Sequence, residues 1–193
     1  MDNYVYRYGD SDYINLTNKC TNDCTFCIRN EADGVSGVDL WLEREPNASE
    51  IISILSADKR DVVFCGFGEP TIRISEIIKI SEYVKSYGGR VRLNTNGHGN
   101  AFNGYNIVPS IKGLVDTVSV SLNQCTPEKY SEICKSIYGL DAFGYVIDFI
   151  KCCQMESIDT VLTVLDFIDQ ADIDSCKIIA EKYNASFRIR GMV

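Results

Sequence analysis

The sequence predicts an α/β domain with a mostly parallel sheet of about six strand–helix units behind a short β-hairpin. Two observations carry this prediction. Runs of β-branched residues alternate with helical patterns along the chain, and several strands place polar residues on one face. With 193 residues, the chain suits one domain, 1–193, but is shorter than the roughly 250 residues of a closed eight-unit barrel.

The strands are predicted from alternating and β-branched runs. Tyr4, Tyr6 and Tyr8 alternate before the turn residues 9–11, which indicates a first strand that pairs with the next one as a hairpin. Further strands are expected at 13–17, 61–65, 90–95, 117–122, 160–165 and 186–190. Because helices separate these runs, the connections should be right-handed crossovers between parallel strands.

The helices are predicted from apolar spacing and from their end signals. Thr126, Pro127 and Glu128 form a typical helix start, with a capping hydroxyl, a proline at the first helical position and an acid in the first turn. The other helices are expected at 49–57, 75–87, 142–155 and 172–183.

Polar residues alternate with apolar ones along at least three strands, whereas a parallel sheet buried on both faces should be apolar throughout. The polar positions are Arg92, Asn94, Asn96, Ser119, Ser121, Asn123, Arg188 and Arg190. This pattern fits either a sheet with one solvated face or a curled sheet whose concave side holds a polar ligand. We favour the second interpretation, because several strands agree.

Composition limits the function classes. The chain has 19 Lys and Arg against 27 Asp and Glu, a net charge of −8, so a nucleic-acid partner is unlikely. We expect a cytoplasmic protein with no membrane partner, because the sequence has neither a signal-peptide pattern nor a long apolar stretch. Thiols stay reduced in that compartment, so the nine cysteines indicate metal binding or catalysis more than disulfides.

Three of the cysteines are clustered directly after the second predicted strand. Cys20, Cys24 and Cys27 have the spacing C-x3-C-x2-C. Three nearby thiolates can hold three irons of a cubane cluster and leave the fourth iron open to a ligand. Two alternatives remain at this point: a zinc site completed by a distant cysteine or by His98, and cysteines that only pack in the core.

This triplet, with aromatic Phe26 before its last cysteine, resembles the signature of the radical S-adenosylmethionine (SAM) superfamily. The resemblance implies a partial (βα)6 barrel in which Cys20, Cys24 and Cys27 hold a [4Fe-4S] cluster. The open iron would chelate SAM, and the reduced cluster would cleave it to a 5′-deoxyadenosyl radical that abstracts hydrogen from a substrate. The backbone at Phe26 would lie near the adenine.

The segment 65–70, Cys-Gly-Phe-Gly-Glu-Pro, resembles the family's Gly-Gly-Glu-Pro motif, in which Gly66, Gly68 and Glu69 would hold the SAM amino group. Phe67 replaces the first glycine of that motif, a substitution found in the superfamily's RNA-adenine methylating enzymes. Glycines allow a ligand to approach the backbone closely, and a carboxylate accepts hydrogen bonds from an amine. Taken alone, the segment fits an ordinary strand-to-helix turn equally well.

Two further strand ends resemble SAM-binding segments of the family: 93–97, with Asn94 and Asn96, and 119–123, with Ser121 and Asn123. All these motifs fall at the carboxyl ends of successive predicted strands, where α/β barrels carry their chemistry. Arg188 on the last strand would meet a carboxylate or phosphate of SAM or of the substrate, unless it is an exposed residue of an edge strand.

Other chemistry-bearing residues receive structural interpretations. We expect His98 to be a loop residue and most of the six remaining cysteines to lie in the core. Trp41 either covers the site or anchors its loop. No catalytic residue beyond the cluster is predicted.

The start of the chain, Tyr-Val-Tyr-Arg-Tyr-Gly-Asp at 4–10, is most similar to the TatD family-associated radical SAM proteins. We expect an enzyme that acts on a small molecule with an electron donor such as flavodoxin or ferredoxin; a homodimer is left open. One alternative is an activase that forms a glycyl radical on a partner protein. Another is a non-catalytic metal-binding or electron-transfer module. The acidic charge disfavours an RNA-methylating role.

Overall fold

The computed structural model describes residues 2–55 and 61–191. Its strands are β1 (Val5–Tyr8), β2 (Ser11–Ile14), β3 (Gly34–Val35), β4 (Val38–Asp39), β5 (Val62–Phe64), β6 (Val91–Thr95), β7 (Thr117–Ser121), β8 (Asp159–Leu165) and β9 (Ser186–Arg190). Its α-helices are α1 (Ala48–Ile54), α2 (Ile74–Ser86), α3 (Gly99–Asn103), α4 (Val108–Ile111), α5 (Pro127–Cys134), α6 (Asp141–Met155) and α7 (Gln170–Lys182). Short 3-10 helices cover Ile28–Asn30 and Pro70–Arg73.

The main sheet has the order β1-β2-β5-β6-β7-β8-β9. β1 and β2 form the antiparallel hairpin, and every later neighbour pair is parallel. The sheet is open, with β1 and β9 at its edges, and its six parallel strands match the expected partial (βα)6 barrel. The predicted fold class and hairpin are therefore confirmed.

The apolar core lies between the helices and one face of the sheet. Val91 and Leu93 of β6 and Val118 and Val120 of β7 point into it and are almost fully buried. The alternate residues of the same strands are only half-buried. This alternation leaves the polar face uncovered by helices, so that it can line a cavity. No helix in the described ranges is long and apolar enough to cross a membrane.

Several boundaries differ from the prediction. β2 ends at Ile14 rather than 17, because Asn15 and Thr17 turn their side chains to the following loop, where they bond Leu40 O and Glu45. α1 starts after a capping box formed by Asn47 and its third helical residue, and ends at Ile54. Residues 56–57 of the helix expected at 49–57 lie outside the described residues.

Three short elements were not predicted: the β3–β4 hairpin, α3 and α4. Each has only two to five residues, which is too short for a helical or strand period to show in the sequence.

Candidate functional site

The loop that carries the cysteine triplet is held against the end of α5. The backbone N–H of Asp23 donates to Cys134 O (3.1 Å), and that of Thr25 donates to Ile133 O (2.9 Å). More than a hundred residues separate the two segments. Tertiary hydrogen bonds therefore fix the position of the loop, which has no regular secondary structure of its own between 20 and 27.

A buried polar network supports the same loop from the protein interior. His98 Nδ1 lies 2.9 Å from Thr21 Oγ1, and His98 Nε2 lies 3.2 Å from Ala142 O and 3.4 Å from Tyr130 OH. Asn22 Nδ2 donates to the same Tyr130 hydroxyl at 3.1 Å. Burial lowers the pKa of His98 to about 4, so the ring is neutral. His98 thus lies in the loop between β6 and α3, as expected, and the structure adds that it is fully buried and supports the cysteine loop.

The three thiols have different surroundings. The Cys24 thiol is hydrogen-bonded to Cys134, which raises the pKa of Cys24 and lowers that of Cys134. Burial, with a smaller effect of nearby Glu69, raises the pKa of Cys20 to about 11. Arg29 Nε donates to Cys27 Sγ at 3.3 Å. In the described part of the chain, no three His, Cys, Asp or Glu side chains lie close enough to hold a metal ion.

The turn after β5 packs directly on the backbone that leads into the cysteine loop. A Cβ on Gly68 would lie 2.3 Å from Thr17 O and 2.4 Å from Lys19 O. The next residue continues this contact, because Glu69 N donates to Lys19 O at 2.8 Å. Glycine is therefore required at position 68 for the two segments to approach each other.

Glu69 is buried at the centre of the site. Its Oε1 accepts hydrogen bonds from Thr71 N (3.0 Å), Thr71 Oγ1 (2.6 Å) and Thr95 Oγ1 (2.7 Å). From the described residues its Oε2 accepts one hydrogen bond, from Asn96 N at 2.7 Å. Burial raises the pKa of Glu69, and these hydrogen bonds oppose that effect. Oε2 retains a lone pair with which it could accept a hydrogen bond from a cationic ligand group.

Two adjoining cavities open beside these residues. The first, the polar cavity, has a volume of about 200 Å³. It brings together Cys20, Gly66, Gly68, Glu69, Asn94, Asn96, Ser121 and Arg188 of the residues predicted from the sequence. The second, the apolar cavity, has a volume of about 320 Å³ and is lined by Cys24, Phe26 and Cys27 among others. Both share Cys65, Gly66, Ser121 and Arg190, so they form one continuous site region.

One predicted binding residue lies outside both cavities. Asn123 is buried behind the site, and its Nδ2 lies 3.5 Å from Cys134 Sγ. β7 ends at Ser121, and Asn123 adopts a left-handed φ of 59°. The in-and-out alternation of the strand therefore stops before residue 123, which is why its side chain does not follow that of Ser121.

Sequence reasoning missed Thr163 of β8, which lines the polar cavity, although the alternation of this strand carried a signal for it. Cys65, the first residue of the segment 65–70, was expected near the site, and it borders both cavities. Trp41 is exposed, and its ring meets Phe67 edge-on with 5.0 Å between centroids, so it packs on the wall of the apolar cavity.

Comparisons with known proteins agree with this architecture. MJ0804, an uncharacterized protein of Methanocaldococcus jannaschii, is 29% identical over 139 residues, which are 72% of this chain and 41% of that protein. SuiB of Streptococcus suis bound to precursor peptide SuiA superposes with a TM-score of 0.71 at 15% identity, over 98% of this chain and 40% of SuiB. SuiB bound to S-adenosylmethionine superposes with a TM-score of 0.69 at 16% identity, over 94% of this chain and 40% of SuiB. The chain thus spans about two fifths of the length of these proteins.

The family model of the Radical SAM superfamily matches residues 14–176, which include the cysteine loop, the turn after β5 and the parallel strands β5 to β8. The chain therefore belongs to the radical SAM superfamily, whose members use a [4Fe-4S] cluster and SAM.

Proposed function

We propose that residues 1–193 are the core domain of a radical SAM enzyme that acts on a small molecule. A cluster held by Cys20, Cys24 and Cys27 would, with SAM, supply a 5′-deoxyadenosyl radical for hydrogen abstraction. One observation carries the proposal: the cysteine loop is anchored beside a polar cavity into which Glu69 presents a partly free carboxylate oxygen.

The donor set suits such a cluster. Three thiols of partial exposure lie on one anchored loop, and thiolates are the ligands that iron–sulfur clusters require. Arg29 donates a hydrogen bond to the sulfur of Cys27. Ligation by Cys24 requires its side chain to turn away from Cys134, which is a rotation about one side chain and not a rearrangement of the loop.

The polar cavity suits SAM. In our proposal Gly66 and Gly68 admit the ligand to the backbone, and Glu69 Oε2 accepts a hydrogen bond from its amino group. Asn94, Asn96 and Ser121 offer further polar groups from neighbouring strands. Phe26, in the apolar cavity, would contact the adenine through its backbone.

The proposal assigns Asn123 and Arg188 different roles. Asn123 contributes by supporting the cysteine loop through Cys134. Arg188 contributes to anion binding in the polar cavity.

We further propose that the chain is most similar to TatD family-associated radical SAM proteins, on the tyrosine-rich segment 4–10. In the structure this segment builds a small aromatic cluster: the rings of Tyr6 and Tyr8 lie 5.4 and 5.6 Å from that of Tyr13. We expect a cytoplasmic electron donor such as flavodoxin or ferredoxin to reduce the cluster.

Anaerobic reconstitution with iron and sulfide tests the proposal. We expect about four irons per chain, and reductive cleavage of SAM to 5′-deoxyadenosine with dithionite as reductant. Cys24→Ala should lose both properties. Cys152→Ala, at a half-buried cysteine of α6 outside both cavities, is the matched control and should keep both. A protein that binds one zinc and leaves SAM intact would contradict the proposal.

The substrate class is tested by label transfer. Candidate substrates deuterated at their C–H positions are added to the reconstituted enzyme, and 5′-deoxyadenosine is analysed by mass spectrometry. Deuterium from a small molecule supports the proposal. Deuterium only from a glycine of a partner protein would favour the activase alternative instead.

A further inference from the structure

Three arginines project from the polar face of the sheet toward the same cavity. Arg92 of β6 and Arg188 and Arg190 of β9 all line the polar cavity. Within the described ranges, the Nε atoms of Arg92 and Arg190 are buried without a hydrogen-bond partner, as is Oδ1 of neighbouring Asn94. Buried donors without partners are costly, so their presence at one place indicates a missing ligand.

The polar cavity continues toward the amino ends of the strands. A lower cavity of about 190 Å³ opens at the amino ends of the strands. It shares Arg92, Ser119 and Arg188 with the polar cavity above. The two guanidinium groups therefore border a space that runs through the inside of the curled sheet.

The acids near this space are already engaged or exposed. Asp116 is bound by Lys85 Nζ at 2.5 and 2.6 Å and by Val91 N at 2.7 Å. Asp61 is exposed at the rim of the lower cavity. Glu69 accepts hydrogen bonds from Thr71, Thr95 and Asn96. Among the described residues, no carboxylate forms an ion pair with Arg92, Arg188 or Arg190.

The neighbouring groups show that the arginines are close enough to act together. Burial, and secondarily the charge of Arg188, lowers the pKa of Arg190. The Cys65 thiol lies close enough to both Arg190 and Arg92 for their charges to lower its pKa against the larger effect of burial. Like charges that line one cavity are stabilised by an anion between them. The clustering contrasts with the net charge of −8 of the whole chain.

We propose that this arginine cluster, Arg92, Arg188 and Arg190, binds an anionic group of the substrate, a carboxylate or a phosphate. The inference rests on the proposed function and deepens it, because it names the substrate class. Guanidinium groups bind both anions through paired hydrogen bonds, and Arg92 keeps its place through Tyr13, whose hydroxyl accepts from Nη2 at 2.9 Å.

Arg92 lies below the region assigned to SAM, whereas Arg188 is level with Ser121, because both residues pair with Thr163 of β8. Arg92 precedes Asn96 by four residues of an extended strand, which corresponds to about 13 Å along the strand. A substrate anchored there by its anionic group would place its other end near the upper polar cavity, beside Ser121 and Asn94.

Anion binding can be measured without the cluster. Isothermal titration calorimetry on the full chain, at constant ionic strength, would use inorganic phosphate as one probe and succinate as the other. We expect saturable binding of at least one probe with a Kd of about 1 mM or lower, and the stronger probe identifies the anion type. Arg188→Gln should weaken binding by about tenfold or more, and because this residue is exposed, the variant should fold.

Two further variants sharpen the test. Arg44→Gln, at an exposed arginine paired with Glu50, is the matched control and should bind the probes as the unaltered chain does. Arg92→Lys keeps the charge but not the planar donor pair, and should bind with intermediate affinity. The inference is overturned if neither probe binds saturably, or if Arg44→Gln weakens binding as much as Arg188→Gln.

SAM binding by the reconstituted protein separates this inference from the proposed function. We expect Arg92→Lys, which changes the arginine below the region assigned to SAM, to keep the SAM affinity of the unaltered chain. A variant that loses SAM affinity but still binds the probes would overturn the inference, because the arginine would then serve the cofactor. SAM cleavage without anion binding refutes only the anion site, whereas anion binding without a cluster refutes only the proposed enzyme.

Discussion

His98 offers a well-isolated test of how the cysteine loop is supported. It is the single histidine of the chain, its ring is fully buried, and its two nitrogens contact Thr21 of the cysteine loop and Ala142 of α6. The perturbation is a decrease in pH from 7 to 5, applied to the unaltered chain and to His98→Gln, which retains a polar side chain that does not titrate.

The size of the effect follows from the pKa. Burial lowers the pKa of His98 from 6.5 to about 4, so the unfolded chain takes up the proton first. The contribution to stability is fully present above pH 6.5 and is lost as the pH falls toward 4. The whole difference corresponds to about 3 kcal/mol, of which about 2 kcal/mol is lost between pH 7 and pH 5.

The assay is urea unfolding followed by circular dichroism, under anaerobic conditions at both pH values. The carboxylates titrate in both proteins, so the difference between the two pH dependences isolates His98. We expect the unaltered chain to lose about 2 kcal/mol more than His98→Gln. Nuclear magnetic resonance of the imidazole protons gives the pKa directly. Equal pH dependences, or a titration midpoint near 6.5, would refute the reasoning.

Three other predictions concern the site itself. Gly68→Ala should lower the free energy of unfolding by about 3 kcal/mol, because its Cβ would overlap the neighbouring backbone. Gly144→Ala in α6 is the control: a Cβ there meets nothing within 4 Å, so its urea midpoint should equal or exceed that of the unaltered chain. Glu69→Gln should lower the free energy of unfolding by about 2 kcal/mol and weaken SAM binding by reconstituted protein; unchanged calorimetric affinity would contradict the assigned role. Cys134→Ala should retain the iron content of the unaltered chain, measured colorimetrically after reconstitution, and a loss of iron would make Cys134 a ligand.

Much of the fold could be predicted because its signals are local. The alternation of strand and helix patterns, the capping of α5 by Thr126 and the turn before β2 each depend on residues near one another in sequence. The spacing of Cys20, Cys24 and Cys27 is local as well, so the cysteine loop could be identified from the sequence alone.

The sequence by itself determined the superfamily and the fold class, and it predicted residues for iron and SAM. Only the tertiary structure decided which groups meet: Cys24 with Cys134, His98 with Thr21, and Arg92 with Arg188 across two cavities. These pairs join segments separated by 77 to 110 residues in sequence. Their formation depends on strand register, curvature and loop packing, which are set by the whole sheet and leave no periodic pattern in any one segment.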